Sequence, residues 1–156
     1  MKKLEQNKKN NKGFSLVELI VVIAIMIVLV AVLAPVFTKY VEQSRRATDV
    51  QNANTIASAI LVEATDGTKT PSTTLTTLPT GDKAFASLKS VPAVKGKVGG
   101  SNPAFYYQYN ATNNTVAVYI GDSSDTTWSG DLTQEAQATI YKNNTSVQIG
   151  KDLPTE

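Results

Sequence analysis

Between Phe14 and Phe37 the chain runs through 24 residues, of which Glu18 alone is charged. As an α-helix, at about 1.5 Å per residue, that run reaches roughly 36 Å, enough to cross a hydrocarbon core of about 30 Å. It is therefore read as a transmembrane segment. A carboxylate inside such a span costs about 2.5–3.5 kcal/mol on insertion scales, which makes Glu18 a functional-site candidate by default. Its place four residues after Phe14 keeps it near the interface and lowers that cost, yet it still requires a partner.

The flanks set the topology. Lys2, Lys3, Lys8, Lys9 and Lys12 against Glu5 give the first 13 residues a charge of +4, whereas Lys39, Glu42, Arg45, Arg46 and Asp49 after the span sum to +1. The positive-inside rule puts the N-terminus in the cytoplasm and the chain beyond about residue 38 outside. A secretory signal peptide would share the basic start, but its apolar region usually runs only about 7–15 residues. Its best small-residue exit here, Val32-Leu33-Ala34, is followed by Pro35. A plain uncleaved anchor carrying a monomeric extracellular binding protein is a further reading.

Past the span, Tyr40, Ala47, Val50, Ala53, Ala57, Ile60, Leu61 and Ala64 recur at three- and four-residue steps, as on one face of a helix. Glu42, Arg45, Arg46 and Asp49 are expected on the opposite, solvated face, paired at i,i+3 and i,i+4. Gly67 reads as the C-terminal stop. One helix is thus expected from about 14 to 65, bent or loosened at Pro35, which removes a backbone donor.

Residues 68–103 are rich in Thr, Ser, Pro and Gly and read as an irregular connection, with one short helical turn near Lys83–Lys89. Phe105–Tyr109 and Val116–Ile120 are aromatic and β-branched runs separated by Asn110–Thr115, an antiparallel hairpin. A second hairpin is expected from Thr139-Ile140-Tyr141 through Lys142-Asn143-Asn144 to Ser146–Ile149. A helix covering one face of a small antiparallel sheet is an α+β solution, and the roughly 90 residues of this part need the helix stripe as their second layer.

The composition points away from catalysis. The chain has no histidine and no cysteine, which removes the commonest general base, the thiol nucleophile and most transition-metal ligand sets. No phosphate-binding loop or nucleophile elbow is present. Gly99-Gly100 reads as a turn. Asp122 and Asp125 are oxygen donors of the type hard cations prefer, but without EF-hand spacing they read as part of a solvated loop. Tyr106, Tyr107, Tyr109 and Tyr119 would suit a stacking platform for DNA or sugars, although alternation sends about half of them into the core. No catalytic residue, cofactor or metal site is expected, and no nucleic-acid partner is firmly implied.

Lys12-Gly13-Phe14-Ser15-Leu16-Val17-Glu18-Leu19-Ile20 resembles the class III signal sequence of type IV prepilins and pseudopilins. In that family a basic leader ends in Gly, the first mature residue is usually Phe, the fifth is Glu, and Pro tends to occupy the twenty-second; here these fall on Gly13, Phe14, Glu18 and Pro35. Many such pilins also carry Gly within the apolar half, which this chain lacks between Phe14 and Pro35. The absence of cysteine favours the Gram-positive type, since many Gram-negative relatives close their C-terminal region with a disulfide.

The resemblance implies cleavage between Gly13 and Phe14 by prepilin peptidase and N-methylation of Phe14. It implies filament assembly through Glu18 and the new Phe14 amine of a neighbouring copy, and a helix kink at Pro35. The expected organisation is a cleaved leader at 1–13, a transmembrane and filament-core helix at 14–37, its amphipathic continuation at 38–66 and a globular head at 67–156. Removing the leader would leave 10 basic against 12 acidic residues, so the basic pI of about 8.8 belongs to the part removed and is no nucleic-acid footprint.

The implied role is a structural subunit of a type IV pilus serving motility or adhesion. A minor pilin, or a pseudopilin of a type II secretion or competence system, is the related alternative. The expected partners are further copies in a helical filament, prepilin peptidase, the membrane before assembly, a pilus assembly platform protein and minor pilins. The expected location is a single-pass cell membrane, N-terminus in and C-terminus out, and after assembly the extracellular pilus at the cell surface.

Overall fold

The structure, a computed structural model, describes residues 13–79, 85–97, 102–122 and 128–143. The chain divides into two compact units, Met1–Thr38 and Lys39–Glu156. Helix α1, Leu16–Thr65, contributes residues to both.

In the first unit, residues 16–38 are helical and apolar on every side. Each large apolar side chain from Phe14 to Phe37 is at least 47% exposed. An 18-residue window of α1 has a mean hydropathy of 3.4 and buries none of its residues within the chain. By length and composition this helix is long and apolar enough to cross a membrane. Pro35 lies inside α1, and its carbonyl accepts the Thr38 hydroxyl at 2.9 Å.

The second unit is an α+β layer. Strands β1 (Thr76–Thr77), β2 (Ala104–Asn110) and β3 (Thr115–Gly121) form an antiparallel sheet in the order β1-β2-β3. The expected hairpin is present as β2–β3, with Asn110 opposite Thr115 and Phe105 opposite Ile120. Its loop is shaped by Asn110, whose Oδ1 accepts the amides of Thr112 and Asn113, and by Asn114 at φ 50°, a left-handed conformation that Asn tolerates.

Alternation then divides the strands. Phe105 and Tyr107 of β2, with Val116, Val118 and Ile120 of β3, join Ala53, Ile56, Ala57 and Ile60 of α1 in one core with Leu78, Phe85, Leu132 and Tyr141. Full burial of each of the larger side chains contributes about 1.5–3 kcal/mol relative to exposure. Phe85 meets Tyr107 edge to face at a centroid distance of 5.6 Å.

The free edge of β3 is covered by irregular chain. Ser129 N donates to the Ile120 carbonyl and Leu132 N to that of Val118, each at 2.8 Å. In return the Ser129 hydroxyl accepts from Ile120 N at 2.7 Å and Asp131 Oδ1 from Val118 N at 3.1 Å. Backbone amides and side-chain oxygens together take the place of a fourth strand and leave that stretch of edge unavailable for pairing. Trp128 closes the same side, against Gly121 and edge to face with Tyr106 at 4.6 Å.

The structure corrects two expectations. Thr139-Ile140-Tyr141 begin no second hairpin: they lie in helix α2, Glu135–Asn143. The good helix formers Glu135, Ala136, Gln137 and Ala138 start it, and the buried pair Ala138 and Tyr141, three apart, fixes one face. Residues 144–149 of that expected hairpin lie outside the described residues. The amphipathic stripe is also rotated. Glu42, Arg46 and Asp49 are at most 7% exposed, whereas Tyr40 and Ala47 face outward. Gly67, at φ 68°, ends α1 as its position implies. The expected turn near Lys83–Lys89 is described only from Phe85, where Leu88 N closes a turn on the Phe85 carbonyl at 2.9 Å.

Candidate functional site

The expected processing site lies in the first unit. Gly13, Phe14 and Ser15 precede α1 in non-helical, exposed conformation, so the Gly13–Phe14 bond sits on accessible chain just before the helix begins at Leu16. Accessible, non-helical backbone is what a protease cleft accommodates, and at Gly13 no Cβ obstructs close approach. Glu18 is exposed, and its Oε2 accepts the Ser15 amide at 2.9 Å. Leu19 N donates to the Ser15 carbonyl, which makes Ser15 the N-cap and Glu18 the third residue of the first turn. A Glu at that position reaching back to the N-cap amide is one half of a capping box. The Ser15-x-x-Glu18 spacing carries that signal in the sequence, where reading Glu18 only as a charge in a span passes over it. In the uncut chain the carboxylate thus holds the helix start.

The second unit contains a polar cluster that the sequence reading put on the solvent side. Arg46 is fully buried and uses its whole guanidinium: Nε donates to Glu42 Oε1 at 2.9 Å, Nη1 to the Tyr141 carbonyl at 3.1 Å and Nη2 to the Lys97 carbonyl at 2.7 Å. Asp49, also fully buried, accepts the amides of Lys95 at 2.8 Å and Gly96 at 2.7 Å and the Tyr141 hydroxyl at 2.9 Å. Glu42 Oε1 also accepts Lys97 N, while its Oε2 is buried without a hydrogen-bond partner among the described residues.

Gly96 makes this packing possible. A Cβ there would lie 2.7 Å from Arg46 Cγ, 2.8 Å from the Tyr141 hydroxyl and 2.9 Å from Asp49 Oδ2. Further along α1, Glu63 repeats the device, accepting Ser87 N at 3.0 Å.

These carboxylates share a physical task. The segment 85–97 forms no helix or strand, so its inward-facing amides need acceptors. Carboxylates supply charge-assisted ones. Burial holds the Asp49 carboxyl above its usual range, against the lowering pull of the Lys95 and Gly96 amides and the Tyr141 hydroxyl. Burial, and the nearby Asp49 carboxyl, likewise push the Tyr141 phenol upward. Charged and hydrogen-bonding groups on α1 therefore fasten the loop and α2 to the helix. Each is enclosed, and the arrangement is suited to holding a fold together rather than to turning over a ligand.

Asp122, read as part of a solvated loop, is buried instead, with Oδ2 accepting Asn102 N at 2.6 Å. Asp125 and Gly99-Gly100 lie outside the described residues. Of the tyrosines weighed as a platform, Tyr107 is in the core, Tyr106 is covered by Trp128, and Tyr109 packs partly against the core, which leaves Tyr119 half-buried on the outer face.

Against curated proteins and against solved structures, nothing matches the chain. One family profile does, over residues 8–34, and it takes in the non-helical Gly13–Ser15 segment, the capped helix start and most of the apolar span. Residues 8–34 of this chain match the model of the prokaryotic N-terminal methylation motif, the motif found in the class III signal sequence of type IV pilins.

Proposed function

We propose that this chain is the precursor of a structural subunit of a type IV pilus. Prepilin peptidase cuts it between Gly13 and Phe14, the Phe14 amine is methylated, and the subunit polymerises through its N-terminal helix into an extracellular filament. The observation that carries this reading is the match to the methylation motif at 8–34, which overlaps an apolar helix that finds no cover among the described residues. Before assembly the bilayer covers that helix, with the N-terminus in the cytoplasm; in the filament, neighbouring copies do.

Cleavage creates the amine that Glu18 lacks as a partner. In low dielectric a carboxylate–ammonium pair offsets part of its desolvation, and a register that leaves either charge unpaired is penalised. Glu18 thus exchanges its bond to Ser15 N for the Phe14 amine of a neighbour and sets the axial register. Pro35, lacking an amide hydrogen, is where the helix bends or loosens on packing. Nothing in this role calls for catalysis by the chain itself.

The test begins with the native host. Intact mass and terminal sequencing should find a mature chain starting at Phe14, with or without one methyl group. Glu18→Ala should be processed but yield few or disordered filaments by electron microscopy. A chain retaining Met1, or a wild-type filament yield from Glu18→Ala, overturns the assembly role and leaves a membrane-anchored monomer.

A further inference from the structure

The outer face of the sheet, opposite the core, carries Gln108 of β2 with Ala117 and Tyr119 of β3, and a groove of about 670 Å³ opens between it and residues 131–134. Among the described residues its lining holds no basic side chain and a single carboxylate, Asp131. Asp131 Oδ1 is committed within the fold, to Val118 N at 3.1 Å, Thr133 N at 3.0 Å and the Thr133 hydroxyl at 2.7 Å. Its Oδ2 takes one long bond from Gln134 Nε2 at 3.2 Å. Gln108 Nε2 makes one long bond, to the Thr73 carbonyl at 3.3 Å.

The groove thus offers carboxamides with unused donors and acceptors, an Asp oxygen held in place, and a half-buried tyrosine ring. We infer that this groove binds a neutral saccharide.

The chemistry selects that class. Neighbouring hydroxyls of a sugar each donate and accept, which matches the Gln134 carboxamide bonded to Asp131 Oδ2 at 3.2 Å and the Gln108 carboxamide in the same lining. The apolar face of a pyranose suits the flat face of Tyr119, a rigid ring with a polar tip. An anionic polymer would bring negative charge to Asp131 with no lysine or arginine in the lining to offset it, and like-charge juxtaposition is strongly unfavourable. The groove lies entirely within the second unit and needs neither cleavage nor assembly to bind.

The experiment is a titration of the uncut full chain in detergent micelles, followed by amide and side-chain NMR. The probes are chitotriose, cellotriose and maltotriose, with a heparin hexasaccharide and oligo-thymidylate as anionic comparisons. Saturable shifts at Tyr119, Ala117 and Gln134 with at least one neutral sugar, in the millimolar range, are expected. Tyr119→Ala should weaken that binding about two- to tenfold, the size of a lost ring contact. Gln134→Ala, an exposed substitution just before α2, should weaken it while leaving the hairpin resonances in place.

The proposal is overturned if none of the three sugars gives saturable shifts, if both variants bind like the unmodified chain, or if an anionic probe is preferred. Because micelle-held precursor is used, this result is independent of whether Glu18→Ala filaments form.

Discussion

The two halves of α1 solve opposite problems with the same backbone. Residues 16–38 are apolar all round, find no cover among the described residues and hold one carboxylate, exposed and capping the helix start. Residues 39–65 are mixed in composition, yet their buried stripe includes Glu42, Arg46, Asp49 and Glu63. The lesson is that along α1 burial does not follow hydrophobicity. The apolar surface of residues 16–38 stays bare among the described residues. Surface that must hold irregular loops of the same chain is charged, because loop amides need acceptors.

The comparison is most directly broken at Arg46. Arg46→Ala leaves the buried Glu42 carboxylate without its cation and should destabilise the second unit by about 3–5 kcal/mol, against a much smaller loss for a buried pair replaced as a whole. Urea unfolding followed by Trp128 fluorescence reads this, and an unchanged midpoint would mean the cluster is not buried in solution.

Gly96→Ala should come next, at about 1–3 kcal/mol, since the added methyl meets Arg46, Tyr141 and Asp49 at 2.7–2.9 Å. Faster hydrogen exchange at the amides of Lys95 and Lys97, with the β2–β3 ladder still protected, would locate the damage.

Asp49 gives a pH signature of a definite sign. Its folded-state pKa is raised, chiefly by burial, so its contribution to stability is fully present below the ordinary carboxylate value and is lost as pH rises through the folded value. Melting temperatures should therefore show the unmodified chain losing stability relative to Asp49→Asn as pH rises from about 4 toward neutrality, once the ordinary carboxylate range is passed. A gap that widens in the opposite direction would mean that the amides of Lys95 and Gly96 outweigh desolvation.

The smallest effect on the isolated chain belongs to the first half of the helix. Glu18→Ala removes the acceptor for Ser15 N and should only fray the first turn, seen as faster exchange at residues 15–19, with the second unit untouched. Set beside its expected loss of filaments, that would sharpen the contrast: one helix half uses its charge between chains, the other within one.

Composition and local spacing are enough for the span, the methylation motif, the β2–β3 hairpin and the stop at Gly67. Each depends on a handful of neighbouring residues and on one physical demand, be it bilayer thickness, alternation or a left-handed φ. The sequence also holds a signal that a search for apolar residues misses. Positions 42, 46, 49, 53, 56, 60 and 63 step by threes and fours along the buried face, whatever their polarity. Glu42 and Arg46 at i,i+4 look the same whether water or a loop lies over them, so spacing alone could not say which face turns inward.

Only the tertiary structure decided that, through the amides of residues 87 and 95–97 arriving from far along the chain. It decided as well that Tyr141, in a stretch with strand-forming residues, belongs to a helix, because from α2 its hydroxyl reaches Asp49. Local preference for helix or strand amounts to less than about 1 kcal/mol per residue, and a buried hydrogen-bonded contact is enough to override it.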